Sequence, residues 1–294
     1  MRIVTLLPSA TDIIVSLGLE SFLVGVSHEC DGYSKRIRRL TSSSIKSTYS
    51  SKEIHQNIQD ILKKTLSVYE VKFDLLKLLN PDVIITQSQC NVCAVSIDEV
   101  KNGLRKLMEK QPKLIDLKPK SFSDVCNDII KVGDHLGIKK KSESLVVKIN
   151  KKINSIQRKL LGTKKKNVLC IEWLDPIMTA GNWIPDLLDF VNAKGLDQQV
   201  GIKSSLISLE KISFTEFDSV IFMPCGFDIR KTKIEIKRLG LNKVFEDKRM
   251  YIVDGQIYFN RPGPKLLESV EILAEILHPS LFKSRSGSSR WIEI

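Results

Sequence analysis

The sequence has no uninterrupted apolar run of about 18 residues, the length that a membrane-spanning helix needs, so we expect no such span. It is not poor in apolar residues either. Hydrophobic residues make up 42% and charged residues 27%, which is typical of a globular chain and excludes intrinsic disorder, collagen and a coiled-coil rod. The length of 294 residues fits two ordinary lobes better than one large domain.

A secretory signal is also missing from the first residues. Such a signal needs an apolar run of roughly 7–15 residues and a small-residue cleavage site. Here only the short segment of residues 3–7, which itself contains Thr5, lies before Pro8, and no lipoprotein cysteine lies near the start. If Met1 is the natural start, we expect a cytoplasmic protein.

Cysteine is sparse and its spacing does not suggest a disulfide framework. The six cysteines favour free thiols that pack or line a pocket. Cys90 and Cys93 form a lone C-x-x-C motif, but a structural zinc site would need a second pair, such as another C-x-x-C. We therefore expect no metal site, and redox or metal use of this pair remains an alternative.

Motifs of the large enzyme classes are absent. The chain has no G-x-S-x-G elbow, no G-x-x-x-x-G-K-[ST] loop and no G-x-G-x-x-G after its first strand. His28 and Cys30 lie two residues apart and could form a nucleophile and base. A cytoplasmic metal- or thiol-dependent enzyme that uses Cys90/Cys93 and His28/Cys30 is therefore the alternative to a non-catalytic protein.

The positive charge is concentrated in one segment. Lys and Arg exceed Asp and Glu by 46 − 34 = 12. Residues 101–166 contain 19 basic and 6 acidic side chains, so the rest of the chain has a net charge of −1. Because this segment shows an amphipathic helical pattern without an aromatic–basic RNA signature or a DNA motif, we expect a solvated helix face and no nucleic-acid partner.

Strand and helix patterns alternate and repeat at domain length, which predicts an α/β fold of two Rossmann-like lobes with mostly parallel sheets. The pattern places an N-terminal lobe at residues 1–120, a connecting helix at 121–163, a C-terminal lobe at 164–280 and a polar tail at 281–294. The connecting segment is predicted as one long helix over residues 123–161, with a break near Gly133 and Gly137. Ser9 to Asp12 has the spacing of a capping box.

Aromatic and polar side chains follow the predicted strands of the second lobe. Because parallel strands end at one edge of a sheet, we expect these side chains to converge on a ligand cleft between the lobes that faces residues 8–11, His28 and Gln87. A large, flat, partly apolar ligand with hydrogen-bonding edges would suit them. The predicted ligand-binding residues of the second lobe are Trp173, Trp183, Phe227, Tyr258 and Arg261.

Several motifs together resemble the cobalamin-binding members of the iron-chelate/cobalamin substrate-binding protein family. The similar segments span about residues 2–279 and include Leu6-Leu-Pro-Ser-Ala-Thr-Asp12, Val24-Gly-Val-Ser-His-Glu-Cys-Asp31, Pro81-Asp-Val-Ile-Ile-Thr-Gln87, Cys90-Asn-Val-Cys-Ala-Val-Ser96, Glu172-Trp-Leu-Asp-Pro176, Ala180-Gly-Asn-Trp183, Met223-Pro-Cys-Gly-Phe227 and Arg261-Pro-Gly-Pro264.

This resemblance implies two lobes bridged by a rigid helix. It also implies a non-catalytic, monomeric receptor that captures a metal chelate for an ABC permease, outside the cytoplasm. Its ligand would be cobalamin or a related corrinoid, with haem and iron chelates as alternatives, and it would have no catalytic cofactor. The positions that match the family's ligand-facing residues are Pro8, Ser9, Ala10, Thr11, Trp173 and Arg261. Gln87 falls where cobalamin binders of the family can carry an aromatic side chain. Glu53 and Glu210 best match the carboxylates that dock on the permease.

Overall fold

The computed structural model describes residues 1–30, 37–46, 48–64, 68–89, 95, 97–107, 109–196, 198–283 and 290–294. The chain forms two compact units, and each is considered by itself. Unit 1 comprises Met1–Tyr49, Glu53–Pro119 and Cys126–Val146, and unit 2 comprises Ser50–Lys52, Lys120–Val125 and Val147–Ile294.

Unit 1 is built on a parallel sheet. Its described strands are β1 (Ile3–Thr5), β2 (Leu23–Val26), β3 (Arg38–Arg39), β4 (Thr41–Ser43), β5 (Tyr69–Val71), β6 (Val83–Gln87) and β7 (Lys113–Leu117). Five of these described strands pair in the order β3-β2-β1-β6-β7, and every pairing is parallel. The other two, β4 and β5, form an antiparallel ribbon. Parallel strands with buried faces read as apolar runs, which is why β1, β2, β6 and β7 were predicted from the sequence, whereas β3, β4 and β5 were not.

Helices alternate with these strands, as the sequence predicted. The first six are α1 (Pro8–Ser16), α2 (Ser51–Leu62), α3 (Phe73–Leu79), α4 (Ile97–Leu107), α5 (Phe122–His135) and α6 (Lys139–Lys159). One face of the unit 1 sheet packs on an apolar cluster that consists of Val4, Leu6, Leu40, Val71, Leu76, Ile84, Val95, Val100 and Leu104.

The start of α1 corrects the predicted capping box. Ser9 lies inside the helix rather than at its cap, and the capping position is Leu7, which makes no side-chain capping bond. Pro8 is the first helical residue, where the missing N–H of proline has no cost because that position has no partner within the helix. Gly18 adopts φ +64° just after the helix, and this left-handed geometry ends it.

The predicted long helix over residues 123–161 is two helices, α5 and α6. Gly137 separates them and has φ +75°, a conformation that side chains other than glycine rarely adopt. Gly133 of α5 packs against the side chain of Ser142 in α6, and a Cβ atom at this position would overlap it. The two glycines therefore mark a turn between packed helices, not a local irregularity within one helix.

Unit 2 has a mixed sheet, with three parallel and three antiparallel pairings among its described strands. Its described strands are β8 (Lys166–Leu174), β9 (Ile177–Thr179), β10 (Ala193–Gly195), β11 (Ser205–Leu206), β12 (Ser219–Phe222), β13 (Arg249–Val253) and β14 (Trp291–Glu293). The sheet order is β11-β9-β8-β12-β13-β14, with β10 beside the start of β8. The described helices are α7 (Ile184–Phe190), α8 (Leu209–Ser213), α9 (Ile229–Arg238), α10 (Leu241–Val244) and α11 (Leu266–Leu277).

The end of the chain differs from the predicted polar tail. Trp291–Glu293 forms β14, which pairs antiparallel with β13. Arg290, just before it, is buried. Residues 284–289 of the predicted tail lie outside the described part of the chain. The strand was missed because three residues are too few to show a period, and its partner strand lies far away in sequence.

Candidate functional site

The first turn of α1 is the candidate ligand-facing segment of unit 1. Pro8 is half-buried, whereas Ser9, Ala10 and Thr11 are buried. The Thr11 hydroxyl is 2.7 Å from that of Thr5, so its hydrogen-bonding capacity is used within unit 1. This turn can therefore offer a ligand its backbone N–H groups, because the first N–H groups of a helix have no carbonyl partner within it.

His28 and Cys30 contact different partners. The His28 Nδ1 atom lies 2.7 Å from Thr41 Oγ1, and its ring meets that of Tyr69 edge-on with centroids 4.8 Å apart. Cys30 is buried, and its sulfur lies 3.2 Å from the Thr11 hydroxyl. These contacts tie His28 to β4 and Cys30 to α1.

Gln87 ends β6 and carries a buried polar atom. Only 6% of the residue is exposed, and its Oε1 atom has no hydrogen-bond partner among the described residues. The next residue is fixed in place, since the Ser88 hydroxyl donates to Asp116 at 2.9 Å. The burial of this acceptor could not be predicted from the sequence, because burial at a strand end depends on tertiary packing.

An aromatic pair with a cation lies at the carboxyl end of the unit 2 sheet. Trp173 is half-buried, and its indole Nε1–H donates a hydrogen bond to the Asp175 carbonyl at 3.1 Å. Its ring centroid is 5.3 Å from that of Phe227, which is buried. The Lys231 ammonium lies 3.8 Å from the Phe227 centroid, within the range of a cation–π contact. Lys231 was missed by the sequence analysis, although Asp228 three residues before it has the spacing of a helix cap.

The remaining predicted side chains of unit 2 divide into buried and half-buried groups. Trp183 is buried and donates its indole N–H to the Phe259 carbonyl at 2.9 Å, which fixes the π-helical turn Gly255–Phe259. Tyr258 on that turn is half-buried, and burial raises the pKa of its hydroxyl. Arg261 is buried. Of the five side chains, Trp183, Phe227 and Arg261 are thus buried, and Trp173 and Tyr258 are half-exposed.

Glu172 lies beside this aromatic pair and ties two loops to β8. It accepts from the Ser204 hydroxyl at 2.6 Å and from the Gly181 N–H at 3.3 Å. Burial raises the pKa of this carboxyl, while the two hydrogen bonds lower it. The hydrogen-bond donor Ser204 lies 32 residues after Glu172, so this contact could not be predicted from the sequence.

The two predicted docking carboxylates are exposed. Glu53 lies in the first turn of α2 in unit 1, and Glu210 lies in the first turn of α8 in unit 2. Four residues after Glu210, Phe214 is 83% exposed, which is unusual for a phenylalanine side chain. Exposed apolar side chains therefore accompany the carboxylate of unit 2.

The described residues contain no group of three or more His, Cys, Asp or Glu side chains that could hold a metal ion. Cys90 and Cys93 lie outside the described residues, so the structure does not test the C-x-x-C motif.

The sequence matches the family model described as "Periplasmic binding protein" over residues 3–246. The chain belongs to this family. Its members are solute-binding proteins of ABC transporters and are in general not enzymes. The match covers most of both units, so it concerns the whole fold and not a single motif.

The similarity to other proteins extends over nearly the whole chain. An uncharacterized ABC transporter substrate-binding lipoprotein of Bacillus subtilis (YvrC) is 27% identical over 297 residues, which cover 96% of this chain and 81% of that protein. The periplasmic haem-binding protein HutB of Vibrio cholerae has a TM-score of 0.71 and 17% identity, over 95% of this chain and 99% of that one. The periplasmic vitamin B12-binding protein BtuF of Vibrio cholerae has a TM-score of 0.65 and 15% identity, over 96% and 98%.

These likenesses confirm the predicted fold class, an α/β fold with mostly parallel sheets. The cobalamin subtype is not confirmed, because similar folds include both haem and vitamin B12 binders. The cytoplasmic expectation is not supported, and the extracytoplasmic alternative fits the family. No helix within the described ranges is both long and apolar enough to cross a membrane.

Proposed function

We propose that this chain is the substrate-binding component of an ABC importer for a metal chelate, and that its ligand is a corrinoid of the cobalamin type. The family match over residues 3–246 carries the assignment to an importer, and the corrinoid is proposed from the side chains at the carboxyl edges of the two sheets. The chain captures its ligand outside the cytoplasm and does not transform it chemically.

The chemistry of the unit 2 edge supports a flat ligand. Trp173 is half-exposed and is backed by the buried Phe227. An indole held in this way offers a rigid apolar face on which a macrocycle packs. Tyr258 and Arg261 follow β13 at the same edge of the sheet, where they meet peripheral amide or carboxylate oxygens of the ligand.

In unit 1, the ligand-facing groups of the proposal are Pro8, Ser9, Ala10, Thr11, His28 and Gln87. Their common feature is position, since the first turn of α1 and the end of β6 both lie at the carboxyl edge of the sheet. Ligands of open α/β sheets bind at this edge. Backbone N–H groups and the Gln87 amide suit a ligand with a hydrogen-bonding rim.

Titration of the purified protein tests the ligand class. Cobalamin, cobinamide, haem and a ferric siderophore are each added while tryptophan fluorescence is recorded, because a bound tetrapyrrole absorbs where indole emits. We expect quenching by both corrinoids at micromolar or lower concentrations. If only haem or only the siderophore quenches the fluorescence, that chelate is the ligand and the corrinoid assignment is wrong. If none of the four quenches it, the proposal is refuted.

Trp173 gives the matched test of the pocket. Trp173→Ala is expected to weaken corrinoid binding about tenfold, roughly the 1–2 kcal/mol of one aromatic anchor. Trp291→Phe is the control, because Trp291 lies on β14, three strands from β8, or about 14 Å at ordinary strand spacing. Calorimetry measures both affinities without relying on fluorescence. Equal affinities of the Trp173→Ala variant and the wild type would place the ligand elsewhere.

Docking on a permease forms the second half of the proposed function. Glu53 and Glu210, one in each unit, are exposed and would pair with cationic side chains of the permease. Around Glu210, the exposed Leu209 and Phe214 provide apolar area that an interface would bury. Both carboxylates are therefore assigned to the partner and not to the ligand.

A further inference from the structure

Gln87 points to the face of the unit 1 sheet that carries α1. Thr5 contacts Thr11 of α1 through hydroxyls 2.7 Å apart, so the Thr5 side chain points to this face. Thr5 is aligned with Ile85 in the parallel register of β1 and β6. Side chains alternate along a strand, so Ile85 and Gln87 share this face and Thr86 points to the opposite one.

Gln87 also lies level with the first turn of α1. The Leu6 N–H donates to the Ile85 carbonyl at 2.9 Å, so the parallel pairing continues past the end of β1. Two residues further along this register, Gln87 is opposite Leu7, and α1 begins at the next residue, Pro8. The end of the Gln87 side chain and the start of the helix are thus neighbours at one edge of the sheet.

Both places carry a buried polar atom that has no partner in the described part of the chain. Gln87 is 6% exposed and Ser9 is 2% exposed, and neither Gln87 Oε1 nor Ser9 Oγ has a hydrogen-bond partner among the described residues. Buried polar atoms in folded proteins are nearly always paired, because removing them from water without a partner is unfavourable. Two such atoms beside a helix N-terminus are the mark of a site that a ligand group completes.

We propose that Gln87, Ser9 and the first N–H groups of α1 bind a primary carboxamide on the rim of the chelate. This inference rests on the proposed function and narrows it to ligands with amide side chains. The Gln87 amide can form two hydrogen bonds with a primary carboxamide, one in each direction. The helix N–H groups and the Ser9 hydroxyl donate to its carbonyl oxygen.

A carboxylate fits this arrangement less well. A carboxylate has no hydrogen atom to donate, so Gln87 Oε1 is left without a donor. The Gln87 amide can then form only one of the two hydrogen bonds that it forms with a carboxamide. A corrin ring carries carboxamide side chains, whereas haem carries two carboxylates. The arrangement in unit 1 therefore selects a corrinoid by its rim, independently of its metal and of its apolar face.

Two corrinoids that differ only in their rims test this assignment. Dicyanocobinamide has amide side chains, and dicyanocobyrinic acid has the same ring, cobalt and axial cyanides with free carboxyl groups. We expect the wild-type protein to bind the amide form about tenfold more tightly, the effect of roughly two hydrogen bonds. Calorimetry at pH 7.5 gives both dissociation constants.

Variants of Gln87 identify the residue responsible. Gln87→Met keeps the length of the side chain without its polar atoms, and we expect the preference for amides to fall to within about twofold. In Gln87→Glu, the carboxylate accepts from an amide N–H and repels the carboxylates of the acid form, so the preference for the amide form is retained or increased. Thr86→Val is the matched control, because Thr86 Oγ1 is also buried and without a described partner but points to the opposite face. It should keep the wild-type preference.

The outcomes separate this inference from the proposed function. Equal binding of the two corrinoids by wild-type protein overturns the amide assignment and leaves the corrinoid proposal standing. A preference that persists in Gln87→Met overturns the role of Gln87. If wild-type protein binds neither compound, the proposed ligand is wrong and the amide assignment fails with it.

Discussion

The ammonium group of Lys231 lies 3.8 Å from the centre of the Phe227 ring. The contact is set by the turn between β12 and α9, where Asp228 accepts from the Lys231 backbone N–H at 2.7 Å and so begins the helix. Burial lowers the pKa of Lys231, although Glu235 and Asp228 favour its charged form. A partly desolvated cation thus supports the ring against which Trp173 packs.

Lys231→Met keeps the apolar stem and removes the ammonium group. The pKa of Lys231 in the folded protein is lowered from its ordinary 10.5, so the unfolded chain binds the ammonium proton more tightly than the folded protein does. The stability of the wild type therefore increases as pH rises from the lowered pKa toward 10.5. We expect the variant to lose this increase when its free energy of unfolding is measured in urea between pH 8 and 10. The exposed Lys233 on the same helix supplies the control, Lys233→Met. An unchanged pH dependence in Lys231→Met would contradict the desolvation argument.

Glu172→Gln is expected to change the pH dependence in the acidic range. The folded-state pKa of Glu172 is raised above 4.5, so the folded protein binds this proton more tightly than the unfolded chain. Its contribution to stability is therefore present below about pH 4.5 and is lost as pH rises through the raised pKa. The glutamine can still accept from Ser204 but does not ionise. The Glu172→Gln variant should therefore not lose this stability as pH rises. Urea unfolding at pH 4.5 and 7.5 measures the free energies of unfolding, and Glu216→Gln at an exposed position is the control.

Charge reversal at the docking carboxylates should separate binding from transport. We expect the double variant Glu53→Arg/Glu210→Arg to bind its chelate within about twofold of the wild type, because both residues are exposed and are assigned to the partner. Uptake of labelled ligand by cells with the cognate importer should fall strongly. Glu216→Arg, an exposed reversal elsewhere in unit 2, controls for net charge. Weakened ligand binding by the double variant would mean that a docking residue has been misplaced.

Local patterns predicted the elements that local residues determine. The helix Phe73–Leu79, for example, ends where Asn80 adopts a left-handed conformation, so the residue directly after the helix determines its end. The start of α1 was predicted less well. Ser9 has the spacing of a cap, but Pro8 at the first helical position determined the geometry instead.

Side-chain exposure at the candidate site could not be predicted in the same way. Trp183 was expected at a ligand surface, yet its indole is held inside unit 2 by the Phe259 carbonyl 76 residues later. The partners of Glu172 and the burial of Gln87 also depend on contacts between distant segments. The sequence could therefore indicate which strand ends carry candidate side chains, but not how far each of those side chains is exposed.

Arg290 and Glu275 form a buried ion pair that fastens the end of the chain to unit 2. Arg290 Nη2 lies 2.6 Å from Glu275 Oε1, and the two side chains are 9% and 8% exposed. Trp291 donates its indole N–H to the other Glu275 oxygen at 3.0 Å. Both carboxylate oxygens are therefore paired, and Glu271 adds a second anion 3.7 Å from the arginine.

Arg290→Met should destabilise the protein by about 3–5 kcal/mol, because it leaves the Glu275 carboxylate buried without its counter-charge. Arg290→Met/Glu275→Leu should be the more stable of the two variants, since it removes both charges and leaves an apolar contact in their place. Arg249 offers the control, since its 3.1 Å pair with Glu293 of β14 is exposed, and Arg249→Met should cost no more than about 1 kcal/mol. Urea unfolding at pH 7 measures all three. If Arg290→Met costs no more than Arg249→Met, or if the double variant is the least stable, then the tail is not held by this ion pair.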